Sequence, residues 1–92
     1  MLVRVTEVNV LDGYRLRLAF SDGAVGEIDL AEELWGEVFE PLREEALFRQ
    51  ARVDPELGTV VWPNGADLDP ESLRANAHLV NERAELNPRE PG

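Results

Sequence analysis

The chain of 92 residues contains no cysteine and no lysine, and it has a single histidine. Without cysteine there can be no disulfide, thiolate metal site or cysteine nucleophile, and without lysine there is no lysine Schiff base. The one imidazole, His78, lies in a helical pattern and is interpreted as a partly exposed helix residue. Ser21 and Ser72 lack the context of a nucleophile elbow. The sequence therefore predicts no catalytic residue and no cofactor, and it favours a protein that is not an enzyme.

Long hydrophobic runs are also missing. No apolar segment approaches the roughly 18 residues of a membrane-spanning helix, and the N-terminus does not resemble a signal peptide. We therefore expect a cytoplasmic protein without membrane contact. The hydrophobic content of 43% is typical of a soluble globular chain, and we expect a single domain over residues 1–86 with a flexible tail over 87–92. A domain this small has a thin core, so a homodimer is a candidate source of further stability.

Basic side chains are scarce, and the net charge is −10. Binding to phosphate needs clustered basic residues, so we expect no direct contact with nucleic acid. Residues 21–45 carry only Arg43 against nine acids: Asp22, Glu27, Asp29, Glu32, Glu33, Glu37, Glu40, Glu44 and Glu45. Fields of one sign steer oppositely charged partners, so Glu32, Glu33 and Glu37 are a candidate surface for a basic protein. The alternative is a solvated face that only promotes solubility.

The first thirty residues have the pattern of three strands. Val3 and Val5 share one phase and Val8 and Val10 the other, which predicts a β-bulge near residues 6–7. Asp12-Gly13 is a hairpin signal, residues 14–20 alternate between apolar and polar, and a third strand is predicted over about 25–29. The expected result is an antiparallel meander.

Helical and strand patterns alternate in the remainder of the chain. Helical spacing predicts a helix over 30–39 that ends at Pro41, a further helical turn or two over 44–50, and a last helix over about 70–83. Both Trp35 and Trp62 lie at positions predicted to face the core. Residues 52–54 and 59–62 predict a second hairpin that joins the sheet. The fold class is therefore α+β, with a three-stranded meander, a second hairpin and two or three short helices on one face.

The stretch over residues 62–71 joins the second hairpin to the last helix. Pro63-Asn64-Gly65 is typical of a turn, with a positive φ expected at Gly65. Asp69 is predicted to cap the last helix, with Pro70 at its first position. Asp67, Asp69 and Glu71 offer oxygen ligands of the kind that Ca²⁺ or Mg²⁺ prefers. The rest of an EF-hand loop is missing, however, so no metal site is predicted.

This segment, V-W-P-N-G-A-D-L-D-P-E, resembles the signature of a bacterial family known as domain of unknown function 2442. Further pieces fit the family in order: Asp12-Gly13, F-S-D-G at 20–23, F-E-P-L at 39–42, Phe48, and V-D-P at 53–55 before Gly58-Thr59. The resemblance covers about residues 3–75 and departs after Leu73. It implies a compact α+β domain without established activity or catalytic residues. Some relatives resemble fusions to a helix-turn-helix, and others resemble one member of a toxin–antitoxin gene pair.

Two hypotheses about function follow. The first is a non-catalytic protein-interaction module, in one form the antitoxin-like member of a gene pair. The second is a small-ligand or metal-binding domain, or an enzyme, that uses the carboxylates between Trp62 and Glu71. A transcriptional regulator would need a helix-turn-helix, for which we expect no room in these residues. The candidate interaction residues within the signature are Trp62, Asn64, Gly65, Asp67 and Asp69.

Overall fold

The computed structural model describes residues 3–80, so the predicted tail over 87–92 lies outside the described residues. The strands are β1 (Val5–Val10), β2 (Arg15–Phe20), β3 (Val25–Asp29), β4 (Arg52–Asp54), β5 (Thr59–Val61) and β6 (His78–Leu79). The α-helices are α1 (Glu45–Phe48) and α2 (Pro70–Asn76), and a 3-10 helix covers Glu40–Arg43. The fold is α+β, as predicted, but it has fewer α-helices than the pattern indicated. None of the helices described is long and apolar enough to cross a membrane.

The predicted meander is present. β1 pairs antiparallel with β2, and the register shifts between Val5 and Glu7, where the change of phase predicted a bulge. β2 pairs antiparallel with β3. Leu16, Leu18 and Phe20 are buried, because alternate residues of a strand share one face. The alternation over 14–20 therefore identified both the strand and its buried side.

The fourth strand of this sheet was not predicted. β6 pairs antiparallel with β3, which gives the order β1-β2-β3-β6. The last helix therefore ends at Asn76, well before residue 83, and His78 lies on a strand; the prediction of a longer helix was wrong. Ala77 is extended, with φ −68° and ψ 142°, and the Val80 amide donates to the Val25 carbonyl at 2.7 Å. Pairing with the open edge of β3 replaces the hydrogen bonds of further helical turns.

The second hairpin is present, but it does not join the meander. β4 and β5 form a separate two-stranded sheet, so the predicted extension of the first sheet was wrong. The hairpin lies beside β1, and the Val5 amide donates to the Gly58 carbonyl at 2.8 Å. Gly58 itself adopts φ +67° in the connection between β4 and β5.

The helix predicted over residues 30–39 does not form. The chain makes a series of turns there, and Gly36 has φ +94°, a conformation that interrupts a right-handed helix. Pro41 lies in the first turn of the 3-10 helix instead of ending a helix. Leu30 and Leu34 are buried as predicted, whereas Trp35 is 70% exposed. The interpretation of Trp35 as a core residue was therefore wrong.

The core collects apolar side chains from both sheets and from α2. Trp62 is 2% exposed, as predicted, and its indole Nε1 donates to the Phe48 carbonyl at 2.9 Å. Its ring lies 5.7 Å from that of Phe48, which in turn meets Tyr14 edge-on at 5.2 Å. Aromatic contacts of this kind stabilise a core beyond the burial of their area. They fix the start of the signature segment against the rest of the fold.

Candidate interaction surface

The signature begins with a closed turn. The Gly65 amide donates to the Trp62 carbonyl at 3.0 Å, and the Trp62 amide donates to the Ala66 carbonyl at 2.9 Å. Gly65 has φ +92°, which confirms the predicted positive φ. The chain then returns beside β5, since the Leu68 amide donates to the Val60 carbonyl at 3.1 Å. Two main-chain hydrogen bonds therefore close the turn.

Asn64 connects this turn to a distant part of the chain. Its Nδ2 donates to the Val38 carbonyl at 3.0 Å, and its Oδ1 accepts from the Ala66 amide at 3.2 Å. Val38 belongs to residues 31–39, which we call the acidic loop. One amide side chain therefore holds the turn and the loop together.

The carboxylates of the signature have separate surroundings. Asp69 caps α2, and its side chain accepts from the Glu71 amide at 3.3 Å. Asp67 is exposed, and its backbone forms an isolated bridge with Val61. Over residues 3–80, no three acidic or histidine side chains come together in a way that could hold a metal ion. The signature is therefore a structural connection with one capping carboxylate, and not a convergent set of ligands.

The acidic loop is anchored from inside and charged outside. Leu34 is buried, and its carbonyl accepts from Nη1 of Arg43 at 3.1 Å. At the start of the loop the Ala31 amide donates to Asp29 at 2.9 Å. Glu32, Glu33 and Glu37 are exposed, and within the described part of the chain their carboxylates form no hydrogen bond or ion pair.

Two apolar side chains protrude among these acids. Trp35 is 70% exposed and Val38 is 46% exposed. A tryptophan is costly to leave in water, because burying a large aromatic side chain is favourable by a few kcal/mol. Aromatic side chains with a polar surround are also the usual anchors of protein interfaces. The acidic loop therefore has the composition of a contact surface.

A cleft of about 530 Å³ lies between β3, α2 and the acidic loop. Its apolar lining is buried or half-buried and consists of Ile28, Leu30, Leu34, Phe39, Leu68 and Leu73. Its acidic lining consists of Glu27, Asp29, Glu33 and Asp69, of which only Glu27 is half-buried and the others are exposed. Ser72, Asn76 and His78 complete it. The cleft is therefore apolar inside and acidic at its mouth.

Glu27 and Asp22 near the sheet are paired with arginines, whereas the carboxylates of the loop are not in the described part of the chain. Glu27 pairs with Nη2 of Arg15 at 2.8 Å and with Nη1 of Arg17 at 3.9 Å, and its hydrogen bond raises the pKa of Arg15. Asp22 accepts from the Ala24 amide and from Arg74, and these bonds lower the pKa of Asp22. The carboxylates of the acidic loop therefore add negative charge beside the cleft that no arginine balances within residues 3–80.

The structure brings together only some of the residues singled out from the sequence. Glu33, Asp69 and His78 line the cleft, and Glu32 and Glu37 lie beside Glu33 on the loop. By contrast, Trp62 is buried in the core and Gly65 allows the turn, so both residues have a structural role. The cleft itself was missed, because it exists only where α2 stops early and β6 returns to β3. A signal that could have indicated the missed surface is the Trp35-Gly36 pair, since a glycine is unfavourable within a helix.

The comparisons with known proteins agree with the fold. The sequence profile of the family "Protein of unknown function (DUF2442)" matches residues 5–78. The chain belongs to this family, as its signature indicated. No curated protein matches the chain.

One solved structure resembles the chain over most of its length. It is the crystal structure of "Putative DNA Binding Protein NE0471" from Nitrosomonas europaea ATCC 19718, with a TM-score of 0.61 and 28% sequence identity. The match covers 68% of this chain and 41% of that chain, so this domain spans about two fifths of the length of that protein.

The expectation that nucleic acid is not contacted directly has to be corrected. It is contradicted by the resemblance to a protein whose name describes DNA binding. The physical reason is that the net charge of a domain averages over its whole surface. A negative net charge is compatible with a local group of arginines, and it says nothing about the charge of other segments in a longer protein. A charge of −10 is therefore not sufficient to exclude a role with DNA.

Proposed function

We propose that this chain is a non-catalytic protein-interaction domain that acts together with a DNA-binding protein and contacts a basic surface of its partner. The observation that carries the proposal is the exposed Trp35 on the acidic loop, 70% accessible and surrounded by unpaired carboxylates. An aromatic anchor supplies affinity, and the charges supply orientation and rate of association. A DNA-binding protein is a suitable partner because phosphate recognition requires a basic surface.

The arrangement of the loop supports this proposal. A loop that only promoted solubility would gain nothing from an exposed tryptophan. It would also not need the Arg43 and Asn64 hydrogen bonds that hold its middle and its end. A prearranged loop binds with a smaller loss of conformational entropy than a disordered one. A two-gene pair, in which this chain is the antitoxin-like member, is one form of the same proposal.

A second candidate function is direct contact with DNA by this domain. It is favoured by the resemblance to the Nitrosomonas europaea protein. The other hypothesis from the sequence, a small-ligand or metal-binding domain or an enzyme that uses the carboxylates between Trp62 and Glu71, has less support. In the described residues Asp69 acts as a helix cap and Trp62 is buried.

The test is a pull-down from the native host with two variants of equal charge. One variant changes the loop residues Glu32, Glu33 and Glu37 to arginine. The matched control changes three exposed acids elsewhere, Glu7, Glu56 and Glu71, to arginine. Circular dichroism confirms the fold of each, and nuclease treatment separates contacts through DNA from contacts between proteins.

The proposal predicts a basic partner that wild type and control retain at low salt, that high salt releases, and that the loop variant does not retain. Retention that depends on intact DNA would favour the second candidate. Equal retention by both variants, or no partner with the wild type, would contradict the proposal.

A further inference from the structure

We infer that the cleft between β3, α2 and the acidic loop is a binding site for a basic segment of the partner protein, which inserts an arginine or lysine side chain. This inference rests on the proposed function and names the chemistry that the partner presents. The acidic loop forms one wall of the cleft through Glu33, Leu34 and Phe39. Its other wall is α2 with its capping residue, which contribute Ser72, Leu73 and Asp69.

The size and lining of the cleft suit a long basic side chain. Its volume of about 530 Å³ is within the usual range for ligand pockets, about 300–1,000 Å³. Arginine and lysine have apolar stems that pack along apolar surface while the charged group stays near water. The interior of the cleft would contact the stem, and the exposed carboxylates at its mouth would meet the charge.

The electrostatics of the cleft select a cation. Glu27 is already paired with Arg15, so it is not available to a ligand. Asp29 and Asp69 each accept one main-chain hydrogen bond and retain a second oxygen, and Glu33 makes no such contact within residues 3–80. The lining contains no arginine. Carboxylates in this number favour a guanidinium or ammonium group through charge-assisted hydrogen bonds.

A polypeptide fits the site better than a small free cation. Ser72 and Asn76 lie one turn apart on α2 and line the cleft. The Asn76 Nδ2 donates to the Ser72 carbonyl at 2.8 Å, which leaves the Asn76 oxygen and the Ser72 hydroxyl for a main chain. Trp35 and Val38 lie on the loop that forms the first wall. A chain of several residues could extend from the cleft along this loop toward these apolar groups.

Titration with three probes tests the identity of the ligand. The probes are a short peptide that alternates arginine with leucine, the same peptide with neutral citrulline in place of arginine, and free arginine. Calorimetry at low salt is expected to show the arginine peptide binding at least about tenfold more tightly than either of the others. Equal affinity for the citrulline peptide would overturn the role of charge. Equal affinity for free arginine would overturn the choice of a polypeptide.

Two matched pairs of variants test the location. Glu33→Gln and Glu56→Gln remove the same charge from exposed positions, but only Glu33 lines the cleft. Ser72→Phe fills the cleft from α2, whereas Ala75→Phe adds the same ring to an exposed position of that helix outside the lining. We expect Glu33→Gln to weaken the arginine peptide about three- to tenfold and Ser72→Phe to weaken it further. The two control variants should stay within about twofold of wild type.

Equal affinities within each pair, with all four variants folded by circular dichroism, would overturn the cleft as the site. Failure of this inference is distinguishable from failure of the proposed function. If Ser72→Phe still retains the basic partner in the pull-down and the loop variant does not, the interaction domain remains and the cleft is not its binding site.

Discussion

The side-chain amide of Asn64 donates a hydrogen bond to the main-chain carbonyl of Val38 at 3.0 Å. This bond joins the signature segment to the acidic loop. The turn that holds Asn64 is fixed in the core by the buried Trp62. The signature therefore positions the acidic loop, on which Trp35 and the unpaired carboxylates lie.

Replacing Asn64 with alanine tests this connection. The variant loses the bond to Val38 and the bond from the Ala66 amide. Because Asn64 is exposed, the expected loss of stability is modest, about 1–2 kcal/mol for the two bonds together. The main effect is expected in hydrogen exchange, which should become faster over residues 31–39 and stay unchanged in β2. Unchanged exchange in the acidic loop would contradict a positioning role for Asn64.

Gly65 and Gly58 are expected to differ in their tolerance of alanine. Both have positive φ, but a Cβ on Gly65 would meet no atom within 4 Å, whereas one on Gly58 would lie 2.7 Å from the guanidinium carbon of Arg4. Gly65→Ala should therefore cost about 1 kcal/mol, for the backbone conformation alone. Gly58→Ala should cost more, because Arg4 must also move away from the Pro55 carbonyl that it contacts. Urea unfolding measures both, and the opposite order would refute the explanation.

Because Asp69 caps α2 and Asp67 does not, replacing each with alanine should reduce stability by different amounts. Asp69→Ala removes the side chain that accepts from the Glu71 amide and should cost about 0.5–2 kcal/mol. Asp67→Ala removes an exposed carboxylate that caps no helix and should cost less. Thermal unfolding of both variants in one buffer shows which substitution causes the larger loss of stability. A larger loss at Asp67 would show that its carboxylate has a structural or ligand-binding role that the described contacts do not include.

The pH dependence of stability should include a contribution from Asp22. The Ala24 amide and the Arg74 guanidinium hold the pKa of this carboxyl below its ordinary value of 3.8. A lowered pKa in the folded state stabilises the protein above the ordinary value, and this stability is lost as the pH falls through the lowered one. Asp22→Asn should therefore be less stable than wild type near neutral pH, and the two should converge in acid.

Glu32→Gln is the matched control for this measurement, because Glu32 is exposed and its carboxylate forms no hydrogen bond or ion pair within residues 3–80. Urea unfolding of the three proteins at neutral and acid pH gives the comparison. A difference between wild type and Asp22→Asn that stays constant over the whole range would argue against the Arg74 and Ala24 contacts as its source.

The parts of the fold that depend on neighbouring residues could be predicted from the sequence. The alternation of residues 14–20 identified β2, and the Asp69-Pro70 pair identified the start of α2, because strand faces and helix caps are local properties. The end of α2 could not be predicted in this way. It depends on the open edge of β3, which competes with helical hydrogen bonds after Asn76.

The candidate site was predicted only in part, for a related reason. The acids Glu32, Glu33 and Glu37 could be singled out because charge is visible in the sequence. Trp35 was assigned to the core, since helical spacing placed it beside Leu34 in a helix that Gly36 prevents. The cleft unites three segments that are distant along the chain, and no local pattern encodes it.

The most direct test of an interaction role for the acidic loop is site-specific photo-crosslinking in the native host. A benzophenone amino acid replaces Trp35 in one variant and Leu57, which is 54% exposed in the β4–β5 connection, in the other. The account predicts a crosslink to a basic protein from position 35 but not from position 57, and a lower yield at high salt. Equal crosslinking from the two positions, or none from position 35, would contradict it.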